Sequence, residues 1–216
     1  MAQQYRGLWL PDREEYLKRD IDVSLPFGGS ATIQFKKFHR VLPHLKQFRH
    51  AVDIGANCGI WTKTLARCFA KVTCFEPNPE VHEAFWLNNR ETTALITLHC
   101  AALGNEKAEL RLNTRLRSTG FTRADPAGDL VVEQARLDDF ELQDVDFVKI
   151  DTEGWEHLVI KGGVETIRRE RPVLIVEQKP DNAERHGLKQ YGAINLLKKW
   201  GATVIDEISG DFIMAW

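Results

Sequence analysis

The sequence predicts an α/β fold: a mostly parallel, Rossmann-like sheet of seven strands, with helices on both faces and an antiparallel last strand. Three observations carry that expectation. Between His50 and Glu76 an apolar run, a glycine turn, a helical repeat, a second apolar run and an acid follow one another, which is the layout of a nucleotide-binding βαβ unit. Farther on, Asp146–Asp151 and Pro172–Glu177 each place apolar residues before a terminal carboxylate, with helical periodicity between them. Last, the runs Thr203–Ile208 and Phe212–Trp216 flank Ser209-Gly210-Asp211, a tight hairpin that reverses the final strand.

In chain order, residues 1–30 read as an N-terminal arm or lid ahead of a single domain over 31–216. The arm shows no clear core pattern. Pro11-Asp12-Arg13-Glu14-Glu15 starts a short helix through Lys18, since proline and acids suit a first turn, and Pro26–Ser30 is a loop. Residues 31–49 read as helix broken at Pro43. Ala51–Ile54 is a buried strand bounded by Gly55. Ile60, Leu65, Ala66 and Phe69 recur at helical spacing, and Val72–Phe75 is the next strand. A helix carrying Val81, Ala84, Phe85 and Leu87 leads to a strand at Leu95–His99. Glu109–Asn113 and Leu130–Ala135 alternate as strands around a loop at 115–128, so extra strands and loop are inserted at about 105–136. A segment that long, rich in Gly, Pro and Arg, is expected to recognise substrate. After the Asp146–Asp151 strand come helices around Leu158–Ile160 and Val164–Arg169, then the strand Val173–Glu177 and an amphipathic helix, Tyr191–Trp200, stopped by Gly201.

Composition narrows the class. The 216 residues are 43% hydrophobic and 28% charged, an ordinary globular balance with room for one well-cored domain. Lys+Arg 29 against Asp+Glu 31 leaves a net charge of -2, which names no partner. No apolar run approaches the ~20 residues of a membrane span, and Met1–Arg6 leads into charged residues rather than a signal core. A cytoplasmic protein without a membrane partner is expected. Cysteines 58, 68, 74 and 100 form no C-x-x-C pair, so neither a zinc site nor a disulfide framework is read. One stretch is biased. Between Val23 and Val52 there is no acid, while Lys36, Lys37, Arg40, Lys46 and Arg49 are joined by His39, His44 and His50. The basic stretch 36–49 is either a solvated helix face or a surface for a phosphate-bearing substrate such as RNA.

The glycine turn separates nucleotides. A dinucleotide site usually shows G-x-G-x-x-G beneath a pyrophosphate. Here the pattern is Asp53-x-Gly55-x-Asn57-x-Gly59. An acid at the strand end repels a diphosphate and suits an ammonium group, which points to S-adenosylmethionine. Glu76, closing the second strand, can accept both hydroxyl hydrogens of a ribose.

Four blocks then stand in order: D-I-G-A-N-C-G-I-W-T from Asp53, F-E-P-N-P-E from Phe75, A-A-L-G-N from Ala101 and F-V-K-I-D-T-E-G-W-E-H-L-V-I-K-G-G from Phe147, with R-P-V-L-I-V-E-Q behind them. Over residues 50–180 this resembles the FkbM family of S-adenosylmethionine-dependent methyltransferases, with K-I-D-x-E-G-x-E the most specific mark. The resemblance implies a class I methyltransferase domain and S-adenosyl-L-methionine as cofactor. It also implies O-methylation of a hydroxyl on a sugar, glycan or other small molecule. It puts Asp53, Gly55, Ala56, Asn57 and Gly59 around the donor's amino-acid end, with Trp61 and Thr62 at the helix start. Glu76 would hold the ribose beside Asn78, and Cys100, Ala101 and Ala102 would border the adenine.

An alcohol is a poor acid, so methyl transfer to it needs a base, and a positioned carboxylate contributes ~10²–10⁴-fold. Asp53, Glu76, Asp151 and Glu177 fall at the carboxyl ends of strands, where open parallel sheets build their sites. Asp151, which also borders the donor, and Glu153 lie two apart on an extended segment. Sharing a face, they would repel one another and raise one pKa towards a useful range. Either is the expected base, with Glu177 and His157 as helpers, although Glu153 also reads as a helix cap. Lys149, mid-strand, is expected to pair with an acid, and no metal ligands are assigned. Two other readings stand. One is an RNA ribose 2'-O-methyltransferase using Lys37, Asp151, Lys179 and Glu207. The other is a non-catalytic nucleotide-binding sensor.

Overall fold

In the computed structural model, which describes residues 1–216, the N-terminus folds back at once. β1 (Ala2–Tyr5) and β2 (Leu8–Pro11) form an antiparallel hairpin turned by Arg6 and Gly7 at positive φ. Leu8 and Leu10 alternate onto its buried face. With Leu17 and Ile21 of α1 (Tyr16–Val23) they pack on Cys58, Ile60, Val81 and Ala84. The expected patternless arm is thereby corrected: Pro11 ends a strand, where its missing N–H costs nothing, and the helix starts at Tyr16. The helix expected over 31–49 is also shorter. α2 (Phe35–Val41) gives way to a 3-10 turn at Leu42–His44, because Pro43 cannot continue the α-helical ladder.

The βαβ unit follows as expected: β3 (His50–Ile54), α3 (Ile60–Leu65) and β4 (Lys71–Phe75), continued by α4 (His82–Asn88) and β5 (Ile96–His99). The insertion then builds a small sheet of its own from β6 (Ala102–Leu103), β7 (Ala108–Asn113), β8 (Arg123–Ala124) and β9 (Leu130–Ala135), in the order β6-β9-β7-β8. β10 (Val145–Ile150), α5 (Glu156–Lys161), α6 (Val164–Glu170), β11 (Val173–Glu177), α7 (Gly192–Lys199), β12 (Thr203–Ile208) and β13 (Asp211–Ala215) complete the chain.

The main sheet has seven strands in the order β12-β13-β11-β10-β3-β4-β5. β11, β10, β3, β4 and β5 are mutually parallel, and β13 runs antiparallel to both neighbours. Strand alternation divides the core between two faces. Val52, Ile54, Val148, Ile150, Leu174 and Val176 pack with Ile160, Ile194 and Leu197. Ala51, Phe147 and Ile175 pack on the other side with Phe38, Trp61, Leu65 and Phe69. Burying each large side chain stabilises by about 1.5–3 kcal/mol, so the sheet is a rigid base from which strand-end residues project. No helix is long and apolar enough to cross a membrane.

Candidate active site

At the carboxyl ends of β3, β4, β10 and β11 lies a cavity of about 380 Å³, within the ~300–1,000 Å³ of small-molecule sites. Of the residues singled out in the sequence, Gly55, Ala56, Asn57, Trp61, Glu76, Ala101, Ala102, Asp151, Glu153 and Glu177 all line it. Acids spread over more than a hundred residues of chain thus meet in one crevice.

One end is built by the glycine turn. Gly55 sits at φ +78°, and a Cβ there would stand 1.9 Å from the backbone oxygen of Asp151. Only glycine lets β3 pass so close to the end of β10. Gly59 (φ +70°) is equally constrained, with Asn89 and Phe85 in the space a side chain would take. The turn aims the Asn57 N–H at Glu76 Oε2 (2.8 Å), while the Asn78 N–H donates to Oε1 (2.8 Å). Each oxygen keeps a second lone pair for a ligand. Burial pushes the Glu76 carboxyl up to about 7, against the pull of those two donors. The lining also includes the apolar residues Ala101, Ala102, Leu103, Leu110 and Leu112.

The other end is a charge cluster. Asp151, Glu153 and Glu177 bring oxygens within 4.8 Å of one another. Lys149 Nζ lies 3.4 Å from Asp151 and 3.5 Å from Asp53, and donates to the Gly55 carbonyl at 3.1 Å. Lys179 pairs with Glu177, and Asn182 Nδ2 donates to Glu153 (3.1 Å) and Glu177 (3.3 Å). A cation could approach the three acids only in competition with these lysines. The carboxyls separate in proton affinity. Burial would raise Asp151, but Lys149, Lys179 and Lys37 outweigh it and hold the group below its ordinary value. Burial, then the neighbouring Asp151, pushes Glu153 up to about 7. Glu177 is pushed well above its ordinary value by burial and by Asp151 and Glu153. Burial works against the Lys149 ammonium, yet Asp151 and Asp53 prevail and raise its pKa.

The turn that presents Glu153 is strained, with Glu153 at φ +54° and Gly154 at φ +107°. It is held from below by Glu156, fully buried on α5, whose Oε1 accepts from the Thr152 and Gly154 N–H groups at 2.9 and 3.0 Å. Residues in sparsely populated backbone regions persist where the surroundings over-determine them, and they cluster at functional sites. Glu153 is not the helix cap: α5 starts after Trp155 with no side-chain cap, and the Glu153 carboxylate accepts from Asn182 instead.

Some expectations need correction. Asp53 does not reach the cavity. It is 0% exposed, accepts from Thr62 Oγ1 (2.7 Å) and faces Lys149, its register partner on β10. Thr62 and Gly59 are likewise outside the lining, as structural supports. Asn78 caps the 3-10 turn at Pro79–Val81 and only its main chain serves Glu76. Cys100 is exposed, beside His82. His157 is not in the acid cluster: its ring packs against Gly192 of α7, and burial lowers its pKa. The basic stretch does not form one surface either. Lys37 turns inward to pair with buried Asp211, Arg49 is tied to Asp144 and Asp146, and His50 is buried on β3. Lys37, Asp151 and Lys179 share the cavity, but Glu207 is exposed on β12.

The sequence placed a lid in the N-terminal arm and substrate recognition in the insertion, but the residues they bring were not singled out. Tyr16, Asp20 and Gln34 from the N-terminal segment, Thr119–Ala124 from the insertion, and Trp155 all line the cavity. Trp155 carried a signal, being inside the most specific block. Asp20 and Gln34 carried none.

The family profile described as "Methyltransferase FkbM domain" matches residues 53–204. No curated protein is similar enough in sequence to match. Among solved structures the chain is similar to methyltransferase FkbM from Methylobacillus flagellatus KT (17% identity, TM-score 0.52). The similarity covers 77% of this chain and 42% of that one, so this chain spans less than half of that protein's length. It is also similar to the O-methyltransferase TomG from Streptomyces achromogenes, solved with SAM (14% identity, TM-score 0.50, covering 85% and 79%). A third likeness is to precorrin-6y C5,15-methyltransferase from Geobacter metallireducens GS-15 (15% identity, TM-score 0.50, covering 90% and 94%). At these identities the structures speak for the class I methyltransferase fold.

Proposed function

The chain belongs to the FkbM methyltransferase family, and from that premise we propose that it methylates a hydroxyl of a sugar, glycan or other small molecule, with Glu153 as general base. S-adenosylmethionine supplies the methyl group on a sulfonium, whose departure leaves a neutral sulfur. The residues present fit that donor. Glu76 has a free lone pair on each oxygen for a diol, Gly55 and Ala56 bring bare backbone to the wall, and the apolar lining at Ala101–Leu103, Leu110 and Leu112 suits adenine. Asp151, kept ionised, gives the donor end negative charge.

The observation that carries the base assignment is geometric: Glu153 lines the cavity held only by the Asn182 amide, whereas Asp151 is tied to the Lys149 ammonium. The proton affinities agree, with Asp151 held low and Glu153 pushed up to about 7. A base works best with a pKa near the working pH. Glu153 meets that condition, while Asp151 is engaged by the Lys149 ammonium. As the acceptor oxygen bonds to the methyl carbon, its hydrogen passes to Glu153. Asn182 and the Lys179–Glu177 pair keep that carboxyl oriented. The test is product mass. Purified protein with S-adenosylmethionine and a panel of sugars and glycans should give acceptors heavier by one CH₂. No methylated product from any hydroxyl compound would remove the reading.

A second reading, methylation of an RNA ribose 2'-hydroxyl, is favoured by Lys37, Asp151 and Lys179 meeting in one cavity. It loses Glu207 and an unbroken basic face. Retention on heparin at low salt, followed by methylation of RNA, would support it.

A further inference from the structure

One buried carboxylate has no part in the chemistry proposed above. Glu14 is 0% exposed, yet it belongs to the N-terminal segment. Its Oε1 accepts from the N–H groups of Tyr16 (2.9 Å) and Leu17 (3.0 Å), starting α1. Its Oε2 accepts from Ser118 Oγ (2.9 Å), Thr119 N–H (2.7 Å) and Thr119 Oγ1 (2.8 Å), in the insertion. Five donors from two segments some hundred residues apart therefore converge on one group. Beside it, Arg13 binds Glu80 through Nε and Nη2 and reaches the carbonyls of Thr114 and Leu116. The Tyr16 and Phe121 rings meet with centroids 4.8 Å apart. Both segments line the cavity. The contact also borders the glycine turn: Thr119 Oγ1, whose one hydrogen goes to Glu14, packs 3.2 Å from Asn57 Oδ1, and the Asn57 N–H holds Glu76.

We infer that Glu14 is a positioning residue: it clasps the N-terminal segment to the insertion as a roof across the donor site, and so governs how long the donor stays bound. Separating the segments would strand a buried carboxylate and its donors, or flood them with water, so the clasp is either made or broken as a unit. By packing on Asn57, Thr119 also supports the turn whose N–H holds Glu76. The inference rests on the donor reading alone and is independent of the base or the acceptor.

The experiment is displacement of S-adenosylhomocysteine followed by tryptophan fluorescence, since Trp61 and Trp155 line the cavity. Glu14→Gln keeps the shape but turns an amide NH₂ toward donors. It should release S-adenosylhomocysteine at least about tenfold faster, a loss of about 1.4 kcal/mol in binding if association is unchanged. Glu15→Gln, at an exposed neighbour paired with Lys18, should release it at the wild-type rate. Ser118→Ala with Thr119→Val attacks the clasp from the other side and decides the matter if Glu14→Gln fails to fold. Where both fold, their effects should not add, because each breaks the same contact. Wild-type release rates in folded Glu14→Gln, or in the Ser118/Thr119 variant, would overturn the clasp. Failure of the unaltered protein to bind S-adenosylhomocysteine would instead remove the donor reading, and the clasp with it.

Discussion

The two ends of the cavity hold carboxyl groups raised to about the same value, Glu76 and Glu153, both at about 7, and they are built in opposite ways. Glu76 is gripped by two backbone N–H groups that the glycine turn and the Asn78 turn cannot move. Glu153 is touched by one side-chain amide, Asn182 Nδ2, on a left-handed backbone residue beside two other acids. Burial raises the first nearly alone; burial and the repulsion of Asp151 raise the second. A shifted pKa thus does not name a role. A carboxyl fixed by main-chain donors is arranged to receive hydrogen bonds, whereas one held by side chains among like charges is arranged to receive a proton.

That contrast breaks most severely at Gly55. Gly55→Ala forces a Cβ to within 1.9 Å of the Asp151 oxygen at φ +78°, so both ends are disturbed at once. The expected result is loss of S-adenosylhomocysteine binding by more than ~100-fold together with several kcal/mol of stability, read by calorimetry and thermal unfolding. Next in size, Glu153→Gln should cut turnover by ~10²–10⁴-fold while leaving S-adenosylhomocysteine affinity within about twofold of wild type. A turnover near wild type would return the base assignment to Asp151. Third, Lys149→Met leaves Asp53 and Asp151 without their common cation, and breaking such a buried pair costs about 3–5 kcal/mol. Denaturant unfolding should show that loss, and adding Asp53→Asn should restore part of it.

The donor end was legible in the sequence because its signal is local. Gly55, Asn57, Gly59 and Glu76 fall within one strand–turn–helix–strand unit, and each is demanded by backbone geometry. The strand-end acids were legible too, since apolar runs ending in Asp151 and Glu177 mark where an open sheet builds its site. What could not be read was which way the acids face. Asp53 and Lys149 are register partners across β3 and β10, so they pair behind the cavity wall, and no spacing within one strand reveals that. The arm and the insertion were legible as segments over the site, but the joint between them was not, for a different reason. Leu8 and Leu10 alternate over a strand of only four residues, too short a pattern to stand out. The partners of Glu14 lie in Ser118 and Thr119, a contact that exists only once the chain has folded.

The smallest expected effect sharpens the comparison most, because it separates the two carboxyls by pH. In the free protein Glu76 is raised from 4.5 to about 7, so the folded state holds a proton that the unfolded chain has released. Stability from this group therefore falls as pH rises from about 4.5 to about 7, and Glu76→Gln should flatten that part of a pH–stability curve. Glu153 and Glu156, raised likewise to about 7, leave a residual slope. Ligand binding runs the other way. If the ribose hydroxyls donate to the ionised Glu76, as proposed, S-adenosylhomocysteine should bind more weakly as pH drops below about 7, by up to tenfold per unit, and Glu76→Gln should remove that dependence along with much of the affinity. Turnover at saturating donor should fall over the same range through Glu153 instead, and that limb should survive only where Glu153 is intact. Affinity that stays flat from about pH 5 to about pH 8 would take the ribose away from Glu76, leaving two raised carboxyls of which only one has work to do.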